Sequence, residues 1–209
     1  MLTTYIIGSL VLIVKPGPDL TCTIATALSD GKARAATLML GLIAGCWIWI
    51  LLLAAGVASF FTAHPATMTA IQVAGAAYIA YLAYGAFVDA IRSFRASSPD
   101  ALHPAAARGM RLVIRGIAMS MSNPLTILFF LAFLPSFTTS SSSFSPAAQT
   151  LLLGTLFCAL VPFVYLPMIF AADFFRSKLV GSVKATATLK LVSAIMLAAV
   201  VVVLASKIA

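Results

Sequence analysis

The sequence predicts an all-α integral membrane protein. Six transmembrane helices form two inverted three-helix repeats, and the first helix of each is broken by a Gly-Pro or Asn-Pro motif. Three observations support this. The 209 residues are 62% hydrophobic and only 9% charged, with mean hydropathy +1.11, whereas a soluble chain has roughly a quarter of its residues charged. Apolar runs long enough to cross a bilayer as helices, about 20 residues each, alternate with short polar breaks. Lys and Arg gather in alternate loops, the pattern that orients membrane helices.

The first run, 2–28, is interrupted by Lys15-Pro16-Gly17-Pro18-Asp19. A polar loop, 29–34, leads to the second run, 35–61, which His64-Pro65 ends. The third run is 67–91, and the longest hydrophilic stretch, 92–111, follows it. The fourth run, 112–137, is interrupted by Asn123-Pro124. A Ser/Thr tract, 138–143, closes it and reads as a flexible exterior loop. The fifth run, 147–172, holds Pro162 and Pro167, taken as packing kinks, and the sixth is 190–205. The chain therefore divides into a first repeat, 1–92, a linker, 93–111, and a second repeat, 112–209. No basic stretch precedes the first run, which argues against a cleaved signal peptide.

Eleven of the thirteen Lys and Arg lie in or beside the first, third and fifth loops, and none lies in the second or fourth. Odd loops are then cytoplasmic and both termini face outward. Three spans per half is an odd number, so two repeated halves have opposite orientation in the membrane. The net charge of +8 is too sparsely spread for a nucleic-acid surface and reads as this topology signal. Cys22, Cys46 and Cys158 stand singly in apolar runs, and His64 and His103 stand in loops beside prolines. That pattern suits neither a disulfide framework nor a metal site. No nucleophile is paired with a base, so an enzyme is not expected, and no cofactor is implied.

Candidate site residues cluster at the two breaks. Proline removes a backbone donor, and broken backbone inside a bilayer is tolerated where protein or a water-filled cavity satisfies it. A lone proline is usually a kink. A matched pair of broken helices in corresponding positions of inverted halves points to a transporter binding site. Lys15 and Asp19 add charge inside a span, where an ionisable group is costly unless paired or hydrated. A structural Lys15–Asp19 ion pair is one reading. The other makes Asp19 the carboxylate for a substrate amine or a coupling proton, with Lys15 as its cationic neighbour. Hydroxyls flank both breaks: Thr21, Thr23 and Thr26 in one, Ser120, Ser122 and Thr126 in the other. Many such hydroxyls bond back to their own helix. Gly41 and Gly45 predict close helix packing. Tyr78, Tyr81 and Tyr84 line a cavity or pack, and Trp47 and Trp49 are read as core or lipid contacts.

Taken together, several motifs resemble the LysE/RhtB family of amino-acid exporters. They are Pro16-Gly17-Pro18-Asp19, then Gly31, Gly41 and Gly45, then Gly75-Ala76-Ala77-Tyr78 with Gly85, and Asn123-Pro124 followed by Phe129 to Phe137. The resemblance runs from the first span to the sixth. It implies a six-span inner-membrane secondary transporter that exports amino acids by proton antiport and assembles as a homo-oligomer, a dimer being favoured. Lys15, Pro16, Gly17, Pro18, Asp19, Ser122, Asn123, Pro124 and Thr126 are the expected substrate-binding residues, with Asp19 carrying the coupling proton. An exporter or channel for a cation or other small solute is the alternative. The chain departs from the family at two places. Leu125 stands where the family carries lysine after Asn-Pro, and Lys15 stands where it more often has a small or hydroxyl residue. Aligning the two breaks puts Leu125 opposite Asp19, so Lys15 is expected to supply the missing positive charge.

Overall fold

The computed structural model describes residues 1–15, 17–57, 109–139 and 142–179, with single helical positions between 66 and 92 and between 187 and 202. All regular structure among them is helical. Helix α1 is Leu2–Val14, α2 is Pro18–Asp30 and α3 is Lys32–Ala54. After the linker come α4, Gly109–Ser122, and the short α5, Pro124–Leu128. The latter continues as a π-helical turn, Phe129–Phe133, and a 3-10 turn, Pro135–Phe137. Helix α6 is Pro146–Leu179.

Helices α3 and α6 are each long and apolar enough to cross a membrane. The 23 residues of α3 extend about 34 Å, more than the hydrocarbon core of about 30 Å. The other two candidate spans are bent. Helices α1 and α2 meet at 52°, and α4 meets the segment 125–137 at 65°. The described residues thus hold two spans, or four if each bent pair counts as one. Only scattered positions of the predicted third and sixth spans are described, and those are helical; the rest lie outside the described residues. Residues 93–108 of the linker lie outside the described residues.

Some boundaries differ from expectation. The polar loop at 29–34 shrinks to Gly31, whose φ of 92° lies in the left-handed region that glycine enters without penalty. The Lys32 amide at the start of α3 donates to Asp173 Oδ1 of α6 at 3.1 Å, so α3 begins at Lys32. Helix α6 runs on to Leu179, past the expected end at 172, and thereby presents Asp173 and Arg176 to that turn. Arg176 Nη1 lies 3.9 Å from Asp173 Oδ1, and its Nε donates to the Ser29 carbonyl. At the other end of α6, Gln149 spans the Ser/Thr tract. It accepts from the Thr139 amide and donates to the carbonyls of Thr139 and Phe144.

The core is built around α3, which packs on both α4 and α6. Gly41 and Gly45 do what their spacing predicts. A Cβ on Gly41 would run into the Val113 backbone of α4, and one on Gly45 would lie 2.7 Å from Ser120 Cβ. Gly116 returns the contact, its Cα facing the Leu38 carbonyl. Backbones in this contact hold α3, from the first predicted repeat, tightly against α4, from the second. Trp49 is buried in this core.

Candidate functional site between two broken spans

Each break has a local cause. Lys15 ends α1 by leaving the helical region (φ −57°, ψ 127°), and Gly17 is extended (φ −145°, ψ −179°). Pro18 then opens α2 at a first-turn position, where its missing N–H costs nothing. Pro16 lies outside the described residues. In the second break Asn123 is extended, and its Oδ1 accepts from the Leu125 amide at 3.0 Å. That is an N-cap, and Pro124 follows in the first turn of α5. Asn-Pro therefore stops one helix and starts the next in two residues.

The two restarts meet. Thr126 Oγ1 donates to Asp19 Oδ2 at 3.3 Å, and Asn123 lines the same pocket as this carboxylate. Asp19 sits in the first turn of α2, where the helix dipole favours negative charge. Its Oδ1 is buried with no hydrogen-bond partner among the described residues. Leu125 lies against the other break: its Cδ1 is 3.1 Å from where a Gly17 Cβ would stand.

A pocket of about 490 Å³, including the space at its mouth, opens between the breaks. Lys15, Gly17, Asp19, Asn123, Leu125 and Thr126 all line it. Its remaining wall is largely aliphatic, from Leu12, Ile13, Leu20, Leu42, Ile43 and Val161, with Phe157. Lys15 is exposed and makes no ion pair with Asp19 among the described residues, so the structural-pair reading does not describe this state. Ser122 and Pro18 are not on the pocket wall. Thr23 and Thr26 bond back to their own helix, on the carbonyls of Asp19 and Cys22. Ser120 is buried against Cys46, with Oγ and Sγ 3.4 Å apart.

Sequence reasoning missed several residues here. Tyr165 and Cys46 line the pocket, yet each stands in an apolar run with no polar neighbour to flag it. Of the tyrosines that were singled out, Tyr81 and Tyr84 are exposed and the side chain of Tyr78 lies outside the described residues. Arg115, counted with the third loop, lies on α4 and donates from Nη2 to Cys22 Sγ at 3.0 Å. The charge count that placed it in a loop had no way to show this.

The chain is similar to several known membrane proteins. An uncharacterised membrane protein of Pseudomonas aeruginosa is 32% identical over 62% of this chain and 60% of its own length. The leucine efflux protein of Klebsiella pneumoniae is 26% identical over 89% of this chain and 85% of its own. The homoserine/homoserine lactone efflux protein of Salmonella typhi is 31% identical over 72% of this chain and 69% of its own. No solved structure matches. The sequence pattern of the LysE type translocators extends over residues 10–207, and the chain belongs to that family.

Proposed function

We propose that the chain exports neutral, chiefly aliphatic amino acids across the cytoplasmic membrane in exchange for protons, with Asp19 as the group both cargoes use. The observation that carries this reading is the Asp19 carboxylate itself. It lies at the bend of one broken span, held by Thr126 from the other, with one oxygen buried and without a hydrogen-bond partner among the described residues. A buried polar group left so is costly unless something occupies it. A substrate ammonium and a proton both satisfy a carboxylate, and they compete for it. Competition for one site, alternately open to each side, is the minimal mechanism of antiport.

The aliphatic wall supports the choice of substrate, as do relatives named for leucine and homoserine efflux. Six spans in two inverted halves, 1–92 and 112–209, with both termini outward and a homodimeric assembly, complete the proposal. The orientation rests on the basic-residue count. Lys15, exposed at the pocket mouth, stands on the outward side of Asp19 in this arrangement and favours release of the proton.

Inverted membrane vesicles test this. Labelled leucine, homoserine and lysine are offered with and without an imposed proton gradient. Gradient-driven uptake of leucine or homoserine, with little uptake of lysine, is expected. Passive uptake that ignores the gradient would point to a channel instead.

A further inference from the structure

Among the described residues, two ionisable side chains have a buried polar atom without a hydrogen-bond partner: Asp19 at Oδ1 and Arg115 at Nε. They bear opposite charge and come from opposite broken spans, Asp19 from α2 and Arg115 from α4. Cys22 stands between them. It follows Asp19 by three residues, so the two share a face of α2, with Cβ atoms about 5–6 Å apart. Its sulfur receives the Arg115 guanidinium at 3.0 Å.

A thiol is a weak acceptor, while a guanidinium carries five donors in a planar fork. A carboxylate matches that fork with two charge-assisted bonds, roughly twice as strong as neutral ones. A carboxylate arriving beside Cys22 would therefore displace a poor contact with a good one and would also satisfy Nε. Lys15 does not offer this. It is exposed and lies before the Gly17 break, whereas Arg115 reaches α2 beyond it.

We infer that Arg115 binds the substrate carboxylate, while Asp19 holds the ammonium of the same molecule. The assignment rests on the amino-acid reading above and deepens it: the ligand must carry both an α-ammonium and a free α-carboxylate. Neither Arg115 nor Cys22 lines the pocket described above, so a zwitterion placed this way reaches past the pocket wall into the α2–α4 contact, takes the guanidinium from the thiol and satisfies both orphaned atoms.

The test compares L-leucine with L-leucinamide, which keeps the ammonium and side chain but has no carboxylate. Binding to the purified full-length protein is measured for wild type, Arg115→Gln and Arg115→Lys. Wild type is expected to prefer leucine by about tenfold or more, the scale of a hydrogen bond to a charged group. Arg115→Gln should lose that preference by weakening leucine while leaving leucinamide within about twofold. Arg115→Lys, which keeps charge without the fork, should retain part of it. Because the readout is a ratio within each variant, a reduced folded fraction does not affect it, and Arg115→Lys serves if the glutamine variant fails to fold. Equal weakening of both ligands, or an unchanged preference, would overturn the assignment and leave Arg115 as a strut on Cys22. A wild type that binds neither ligand would overturn the amino-acid reading itself, and this assignment with it.

Discussion

Thr126 Oγ1 donates to Asp19 Oδ2 at 3.3 Å, and this bond joins the two broken spans beside their bends. Both residues lie in the first turn of a helix that restarts after a proline break. Any motion that opens the pocket by parting α2 from α5 must lengthen this bond, so it couples the state of the carboxylate to the separation of the halves.

Thr126→Val keeps the shape and removes the donor. A hydrogen bond to a charged group contributes about 1.5–3 kcal/mol, so transport should fall about tenfold or more, while Thr126→Ser should keep most of it. Vesicle uptake at matched expression measures this. A valine variant as active as wild type would mean the bond is incidental.

Asp19→Asn removes the charge and keeps the size. The variant should express and purify in the same oligomeric state, because the residue lies on a pocket wall and is no part of the close-packed α3–α4 contact. Gradient-driven uptake should vanish, together with its dependence on pH. Full activity that still follows the gradient would make the carboxylate a structural feature.

The breaks were legible because proline and glycine act locally: Gly17-Pro18 and Asn123-Pro124 stop and restart a helix wherever they occur. The glycines at 41 and 45 were legible for the same reason, since their spacing sets one face of one helix. What depends on tertiary packing was not. That Thr126 bonds across to Asp19 while Thr23 and Thr26 bond back is decided by which helix lies opposite, and three similar hydroxyls give no sign of it. Tyr165 reaches the pocket because α6 packs against α2 and α3. Arg115 was obscured by its own sign, since a lysine or arginine near a loop counts toward topology before it is considered for a site.

The α3–α4 contact predicts a steep glycine dependence. Gly116→Ala drives a methyl into the Leu38 carbonyl and the α3 backbone, and Gly41→Ala does the same against Val113. Overpacking costs about 1–3 kcal/mol, so both variants should unfold at lower temperature. Gly109→Ala, whose Cβ would meet only Thr37 Cγ2 at 3.9 Å, should match wild type or exceed it, because alanine is the better helix former. Thermal unfolding in detergent separates them. Equal melting of all three variants would show that the two helices part freely.

Orientation is tested by cysteine substitution at Arg95 and at Ser141, followed by a membrane-impermeant thiol reagent. The native Cys22, Cys46 and Cys158 are buried and give a low background. Position 141 should label from outside the cell and position 95 only after the membrane is opened. The reverse pattern would invert the topology.

The lysine that the family carries after Asn-Pro supplies the last prediction. In this chain Leu125 fills that position and rests against Gly17, on the same pocket as Lys15 and Asp19. Because Lys15 lies on the pocket wall and makes no ion pair with Asp19 among the described residues, its removal should shift the melting temperature little. The effect belongs in transport. Lys15→Thr takes a cation from the mouth and should slow release of the proton. Leu125→Lys would place an ammonium beside the Gly17 break, close to the unpartnered Asp19 oxygen, where Coulomb coupling is stronger than at the surface. The double variant should therefore recover part of the transport lost in Lys15→Thr, and Leu125→Lys alone should alter the pH profile. A double-mutant cycle on uptake rate and melting temperature reads the coupling directly. Strictly additive effects, with no recovery, would show that positions 15 and 125 do not serve the same carboxylate.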